Sequence, residues 1–187
     1  RFEVVALAAK SNEAKLTELA SLHRARTLCL TEPRTASFKA EGYNCLTGTE
    51  ALSLIASDPD IDHIVFASSG VAAIKALQTA LREDKDVSLA NKESIVVAGP
   101  WVMPLVKRTD QLRPVDSEHS AIWQCIREEN KAEIQKIWLT ASGGPFRNYT
   151  REMLEKVTPE EALAHPVWKM GPKITVDSAT LMNKGIE

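Results

Sequence analysis

Asp116-Ser117-Glu118 sets two carboxylates two residues apart. In an extended segment, residues i and i+2 point to the same side, so both could reach one cation. Glu187 offers a third oxygen ligand, and oxygen-only donor sets favour hard ions such as Mg²⁺ or Mn²⁺ over zinc. The competing reading is a solvated loop with two charges, with His119 beside it as an exposed histidine. Further on, Asn183, Lys184 and Glu187 follow Ser178 on an expected helix, for which Ser178 would be the cap. Offsets of three and four residues put Asn183 and Lys184 on the face of Glu187. A helix start with a serine, an amide and a lysine suits a phosphate, although Lys184 and Glu187 could equally be a plain surface pair.

Three further strings carry weaker signals. Ser142-Gly143-Gly144 follows an apolar run and resembles an anion-holding turn, where glycine lets the backbone approach a ligand. An ordinary strand-ending turn is the alternative. Ala90-Asn91-Lys92-Glu93-Ser94 sits at the C-terminal end of a candidate parallel strand, where such sheets place ligands, and also reads as a helix start. His165-Pro166-Val167-Trp168 is most simply a rigid turn with a buried indole.

The elements that must position these groups alternate through the first half. Strands are predicted over residues 2–8, 26–31, 61–67 and 86–90, and helices over 12–24, 48–57, 71–81 and 93–107. Pro100 and Pro104 should kink or interrupt the last of these. Such alternation with apolar strands is the signature of a parallel sheet covered on both faces, and right-handed crossovers make it a doubly wound, Rossmann-like α/β sheet. No G-x-G-x-x-G occurs, so a phosphate-cradling first turn would lie upstream of Arg1. After about Pro114 the pattern changes to short helices over 120–127, 150–157 and 158–164 and a strand over 134–140. The predicted division is 1–114, a Rossmann-like domain whose fold suggests a nucleotide, and 115–187, an α+β part that the family resemblance given below makes the start of a catalytic domain.

The 187 residues are 44% apolar and 26% charged, ordinary for a globular chain long enough to bury a core without staples. Lys and Arg (23) nearly balance Asp and Glu (25), which argues against a nucleic-acid partner. The longest run without an ionisable residue, 94–106, is too short and too broken by Gly and Pro to cross a membrane. Cys29, Cys45 and Cys125 form neither a disulfide framework nor a zinc motif, and without a secretory leader a reducing cytoplasm is the expected location. The sequence opens directly on a strand without an initiator Met and closes without a helix-ending signal. A segment of a longer chain, inactive by itself, is therefore expected.

Taken in order, the strings are more specific than any one alone. Ala90-Asn91-Lys92-Glu93-Ser94, Pro114-Val115-Asp116-Ser117-Glu118-His119, Ser142-Gly143-Gly144-Pro145-Phe146, His165-Pro166-Val167-Trp168-Lys169-Met170-Gly171 and the run from Ile174 to Glu187 resemble the 1-deoxy-D-xylulose 5-phosphate reductoisomerase family. The resemblance is strong from Leu89 onward and present in outline before it. It implies an NADPH-dependent enzyme of non-mevalonate isoprenoid synthesis, acting on a small phosphorylated sugar, with Mg²⁺ or Mn²⁺, as a homodimer. Asp116, Glu118 and Glu187 match its metal ligands, and with Lys92 they form the expected catalytic set. Ser117 and Lys92 match substrate contacts near the metal. Ser142, Ser178, Asn183 and Lys184 match the phosphate contacts, and His165 a histidine packing over the substrate. Asn91, Glu93 and Gly171 match NADPH contacts. Ala9, Lys10 and Ser11 align with the region of the cofactor's 2′-phosphate, where the family usually has Gly-Lys-Asn; Ala9 and Ser11 depart from that pattern. A non-catalytic phosphosugar- or partner-binding module on the same scaffold is the alternative.

Overall fold

The computed structural model describes residues 2–34, 37–127, 131–141, 143–166 and 171–186, and for Lys131, Asn183 and Ile186 the backbone only. The chain divides into two compact units, Arg1–Arg113 and Pro114–Glu187.

The first unit begins with β1 (Ala6–Ala9), α1 (Glu13–His23), β2 (Thr27–Leu30) and β3 (Asn44–Thr47). The three strands pair in parallel in the order β1-β2-β3, with Ala6 opposite Thr27 and Thr27 opposite Asn44. Asn12 starts α1 by accepting a hydrogen bond from the Lys15 backbone at 3.1 Å, satisfying one of the donors a helix start leaves open. Every residue of β2 is buried, as expected for a strand with a neighbour on each edge and side chains on both faces. Leu16 and Ala20 of α1 pack with Leu28, Leu30 and Phe38 into one core. The predicted first strand starts too early: pairing begins only where β2 begins, and Phe2 is 91% exposed. β3 was not anticipated, because Asn44-Cys45-Leu46-Thr47 offers only two apolar residues and no alternation long enough to count.

α2 (Glu50–Ala56), β4 (His63–Phe66), α3 (Ile74–Arg82), β5 (Asp86–Leu89), α4 (Lys92–Val102) and β6 (Leu112–Pro114) follow. Their strands form a second sheet in the order β4-β5-β6, with β4 and β5 parallel. Phe66, Leu77, Leu81, Val87, Leu89 and Val102 fill a second core between this sheet and α3 and α4. α4 carries Pro100 inside it and ends after Val102, one turn before its expected end. Pro104 has no backbone N–H with which to continue the helix ladder, and the chain tightens there into a 3₁₀ turn, Met103–Leu105. Trp101 points outward from α4, 66% exposed.

The second unit holds α5 (Ser117–Ile126), α6 (Arg151–Leu154), α7 (Pro159–Leu163), α8 (Pro172–Ala179) and α9 (Met182–Ile186). Three expectations are corrected here. The helix predicted from Ser120 begins three residues earlier, so Asp116-Ser117-Glu118 is a helix start and not an extended segment. Residues 134–140 form no strand: Ile137, Trp138 and Leu139 are exposed, and no described strand lies alongside to complete a ladder. Ser178 does not cap the last helix but lies buried in the final turn of α8. α7 does start as read, with Thr158 and Glu161 forming a reciprocal capping box.

Candidate metal and phosphate site

The acidic pair is built by a helix start. Asp116 is the residue before the first turn of α5, its backbone extended (ψ 128°), and Glu118 is in that first turn. The change of backbone direction between them, not strand alternation, turns both carboxylates toward one point. Lys184 of α9 occupies that point. Its Nζ lies 2.6 Å from Asp116 Oδ1 and 2.7 Å from Glu118 Oε2. The side chains of Asp116, Lys184 and Glu118 are 11%, 12% and 15% exposed, so the charges face each other largely out of water. Burial works against ionisation of Glu118, but hydrogen bonds from Lys184, the Ser117 hydroxyl (2.8 Å) and its own backbone hold its pKa down at about 2. Glu118 is therefore an anion, and Asp116 faces the same ammonium.

α9 is aimed by its neighbours. His119 Nε2 lies 3.1 Å from the Lys184 carbonyl, tying α5 to α9. Between α8 and α9, Leu181 adopts a left-handed conformation (φ 63°) that costs a residue with a Cβ about 1 kcal/mol or more. This sharp reversal lets α9 turn back to present Lys184. Gly144 (φ 55°) packs on the end of α8: a Cβ there would stand 2.5 Å from the Ser178 carbonyl oxygen. The Ser-Gly-Gly string thus has a packing reason for its second glycine, and Gly144 meets Ser178, two of the neighbourhoods expected to hold phosphate. Lys184, expected on that phosphate, is here the counter-ion of the carboxylates. Ser142 and Glu187 lie outside the described residues, as does the side chain of Asn183. Ser117 is exposed beside the acidic pair, and His165 is half-buried after α7.

The donor set suits a hard divalent ion. Two carboxylates already converge on one cation position, which the Lys184 ammonium fills. Among the described residues no cluster of three or more His, Cys, Asp or Glu exists that could hold a metal, the expected third carboxylate being Glu187.

In the first unit the expected cofactor residues gather at the C-terminal ends of strands. Asn91, 1% exposed, follows β5 and caps α4: its Oδ1 accepts from the Ser94 backbone at 2.9 Å. Its Nδ2 donates to the carbonyls of Gly70 (2.8 Å) and Ser68. Glu93 accepts from the Gly70 backbone at 3.3 Å. The Asn91 side chain is thus committed to shaping the loop after β4. Lys92 is the first residue of α4, whereas Gly171, also expected at the cofactor, belongs to the second unit as the exposed residue before α8. Ala9 ends β1, and Lys10 pairs with Glu32 at 3.3 Å on the surface. Ser11 lines a recess with Asn12, Glu13, Ala14, Thr17 and Arg34. Arg34 was missed by sequence reasoning. Its signal is a cation just past the second strand, where dinucleotide folds discriminate the ribose 2′ position. A larger recess of about 670 Å³, lined by Asp62, His63, Lys85, Asp86 and Arg108 among others, lies at the N-terminal ends of β4 and β5. Parallel sheets do not use that end for ligands.

Residues 1–99 match the family described as 1-deoxy-D-xylulose 5-phosphate reductoisomerase, and residues 112–187 its C-terminal domain. The enzyme of that name from Thermoanaerobacter pseudethanolicus is 47% identical, and that from Heliobacterium modesticaldum 44%, each over the whole of this chain and 50% of its own length. Among solved structures, the reductoisomerase from Zymomonas mobilis in complex with NADPH superposes with a TM-score of 0.82 at 36% identity, covering all of this chain and 49% of that one. A reductoisomerase in complex with NADPH, fosmidomycin and magnesium gives 0.78 at 36% identity, over all of this chain and 50% of that one. The chain spans about half the length of the curated relatives it matches. With both halves of its length matched and its acidic pair intact, the chain belongs to the 1-deoxy-D-xylulose 5-phosphate reductoisomerase family.

Proposed function

We propose that the protein carrying this chain rearranges 1-deoxy-D-xylulose 5-phosphate and reduces the product with NADPH to 2-C-methyl-D-erythritol 4-phosphate. The observation that carries this reading is the convergence of Asp116 and Glu118 on one cation position in a chain of this family. With Glu187 they would hold Mg²⁺ or Mn²⁺, which supplies Lewis acidity to neighbouring ketone and hydroxyl oxygens. Ser117 and Lys92 orient the substrate beside the carboxylates. Ser142, Ser178, Asn183 and Lys184 hold its phosphate, and binding energy gathered there keeps the carbon chain in a reactive pose. His165 packs over the substrate. In the first unit, Asn91 and Glu93 fix the loop against which the nicotinamide half of NADPH lies; Gly171, of the second unit, is the further NADPH contact that the family resemblance implies. Lys10, beside Ala9 and Ser11, meets the 2′-phosphate, joined by Arg34. The rearrangement is redox-neutral; hydride then comes from NADPH and a proton from solvent.

A homodimer belongs to this reading. Ile137, Trp138 and Leu139, 54%, 77% and 42% exposed, supply apolar surface for a second copy. A reducing cytoplasm suits the free thiols of Cys29, Cys45 and Cys125, and no helix among the described residues is long and apolar enough to cross a membrane. The test is loss of NADPH absorbance by the full-length gene product carrying this sequence, with 1-deoxy-D-xylulose 5-phosphate and Mn²⁺. Oxidation that requires both metal and sugar phosphate is expected. Tight NADPH binding without any turnover would instead identify a non-catalytic module.

A further inference from the structure

Lys184 is assigned to phosphate by family resemblance, yet here its ammonium bridges the two carboxylates assigned to metal. Both assignments can hold only if the side chain moves. We propose that Lys184 is an exchangeable internal counter-ion: it fills the cation position between Asp116 and Glu118 until an anionic phosphate group draws it away, so that phosphate and divalent cation bind synergistically. This rests on the metal site proposed above.

The geometry makes the two cations mutually exclusive. The ammonium binds one oxygen of each carboxylate, Asp116 Oδ1 at 2.6 Å and Glu118 Oε2 at 2.7 Å, and so fills the position between them that a metal would take. All three side chains are largely buried, so neither cation can be accommodated by simply letting water screen it from the other. Lysine suits such an exchange: it is a point charge on a flexible four-carbon stem, and its backbone can stay in place while the ammonium swings. Its backbone is anchored independently, by the His119 contact to its carbonyl and by its own N–H donating to Leu181 at 3.3 Å. A metal entering alone would leave the displaced ammonium close to a second positive charge and without an anion. A phosphate supplies that anion, and by linkage whatever phosphate does for metal affinity, metal does equally for phosphate affinity. The arrangement would weaken the site's hold on the hard cation until the substrate's anionic end has arrived.

The experiment measures Mn²⁺ binding by paramagnetic resonance of the free ion in the full-length gene product, with and without methylphosphonate, which carries the anion but lacks the neighbouring ketone and hydroxyl oxygens that would chelate the metal; its own weak Mn²⁺ affinity is subtracted from a protein-free titration. In the wild type, methylphosphonate should raise Mn²⁺ affinity about 5-fold or more. In Lys184→Met, Mn²⁺ should bind more tightly than in the wild type without any anion, and methylphosphonate should add nothing. Lys184→Arg is the second variant, whose fixed fork should grip both carboxylates and weaken Mn²⁺ binding. Opposite movement of Met and Arg variants is what a merely structural ion pair would not produce. Unchanged or weaker Mn²⁺ binding in Lys184→Met, or methylphosphonate dependence persisting there, would overturn the proposal. Asp116→Asn separates the two readings: if it leaves Mn²⁺ binding intact, the metal site itself is wrong, whereas if it abolishes binding and Lys184→Met has no effect, the counter-ion exchange alone is wrong.

Discussion

The two units hold their site residues by different physics. In the first, position is fixed by a packed interior: Leu77, Leu81, Val87 and Val102 are fully buried, and Asn91 anchors its loop with every side-chain polar atom engaged. In the second, Ile174 and Ala179 are the buried apolar side chains among the described residues, and short helices are held by charge pairs, a capping box and a strained reversal. A packed frame positions its groups before any ligand arrives. A frame held by ion pairs can trade partners when one does. The division suits the proposed function, with a large cofactor assigned to the first unit and exchange of charge partners to the second.

The comparison breaks most sharply at Glu118. Glu118→Gln should cost several kcal/mol of transition-state stabilisation, on the order of a thousandfold in metal-dependent turnover. NADPH affinity, assigned in the proposed function chiefly to first-unit residues, should stay within about twofold of the wild type, allowing ~0.4 kcal/mol of indirect effect. Joint loss of both, read by kinetics and cofactor titration, would show the units are not energetically separate.

Next in size is the core. Leu77→Ala removes a fully buried side chain and should cost about 2–5 kcal/mol in urea unfolding followed by dichroism. Leu163→Ala, at a position 46% exposed on α7, should stay within roughly 0.5 kcal/mol. Equal costs would erase the contrast between a packed and a paired unit.

Lys184→Ala should weaken phosphorylated substrate by about 1.5–3 kcal/mol, the range for a hydrogen bond to a charged group, measured as KM or by competition with a phosphonate. An unchanged affinity would move the phosphate elsewhere.

The smallest effect is acid sensitivity of the first unit. Burial opposes ionisation of Asp86, but Arg108 and Arg113, the latter at 2.8 Å, hold its pKa below the ordinary carboxylate value. A depressed folded pKa gives stability that is complete above about pH 4, the unfolded value, and is lost as pH falls through the folded one. Thermal melts of Asp86→Asn should therefore approach those of the wild type as pH drops below about 4. A gap that stays constant with pH would show that the carboxylate's charge contributes nothing.

Most of the first unit was legible because its strands and helices carry continuous apolar patterns. What escaped was short or partnered from a distance. β3 has two apolar residues and exists because β2 offers it an open edge, and β6 is three residues ending in proline. Residues 134–140 failed in the opposite sense: an apolar run reads as a strand whether or not another strand is there to pair with it. At the site, residue types were readable and geometry was not. The acidic pair converges through a helix start that the string Asp-Ser-Glu does not announce. Lys184 reaches it across 68 residues of sequence, through a left-handed leucine that no propensity would suggest.

The outward setting of Trp101 has an optical consequence. It is the sole tryptophan of residues 1–113 and already meets solvent when folded, while Trp123, Trp138 and Trp168 belong to the other unit. Melting of the sheet-bearing unit should therefore be nearly silent in intrinsic fluorescence, because its indole changes surroundings little. Emission will follow the short helices, and far-ultraviolet dichroism will follow most of the regular structure. Two midpoints from two spectrometers on one sample would then be a direct reading of two units melting apart.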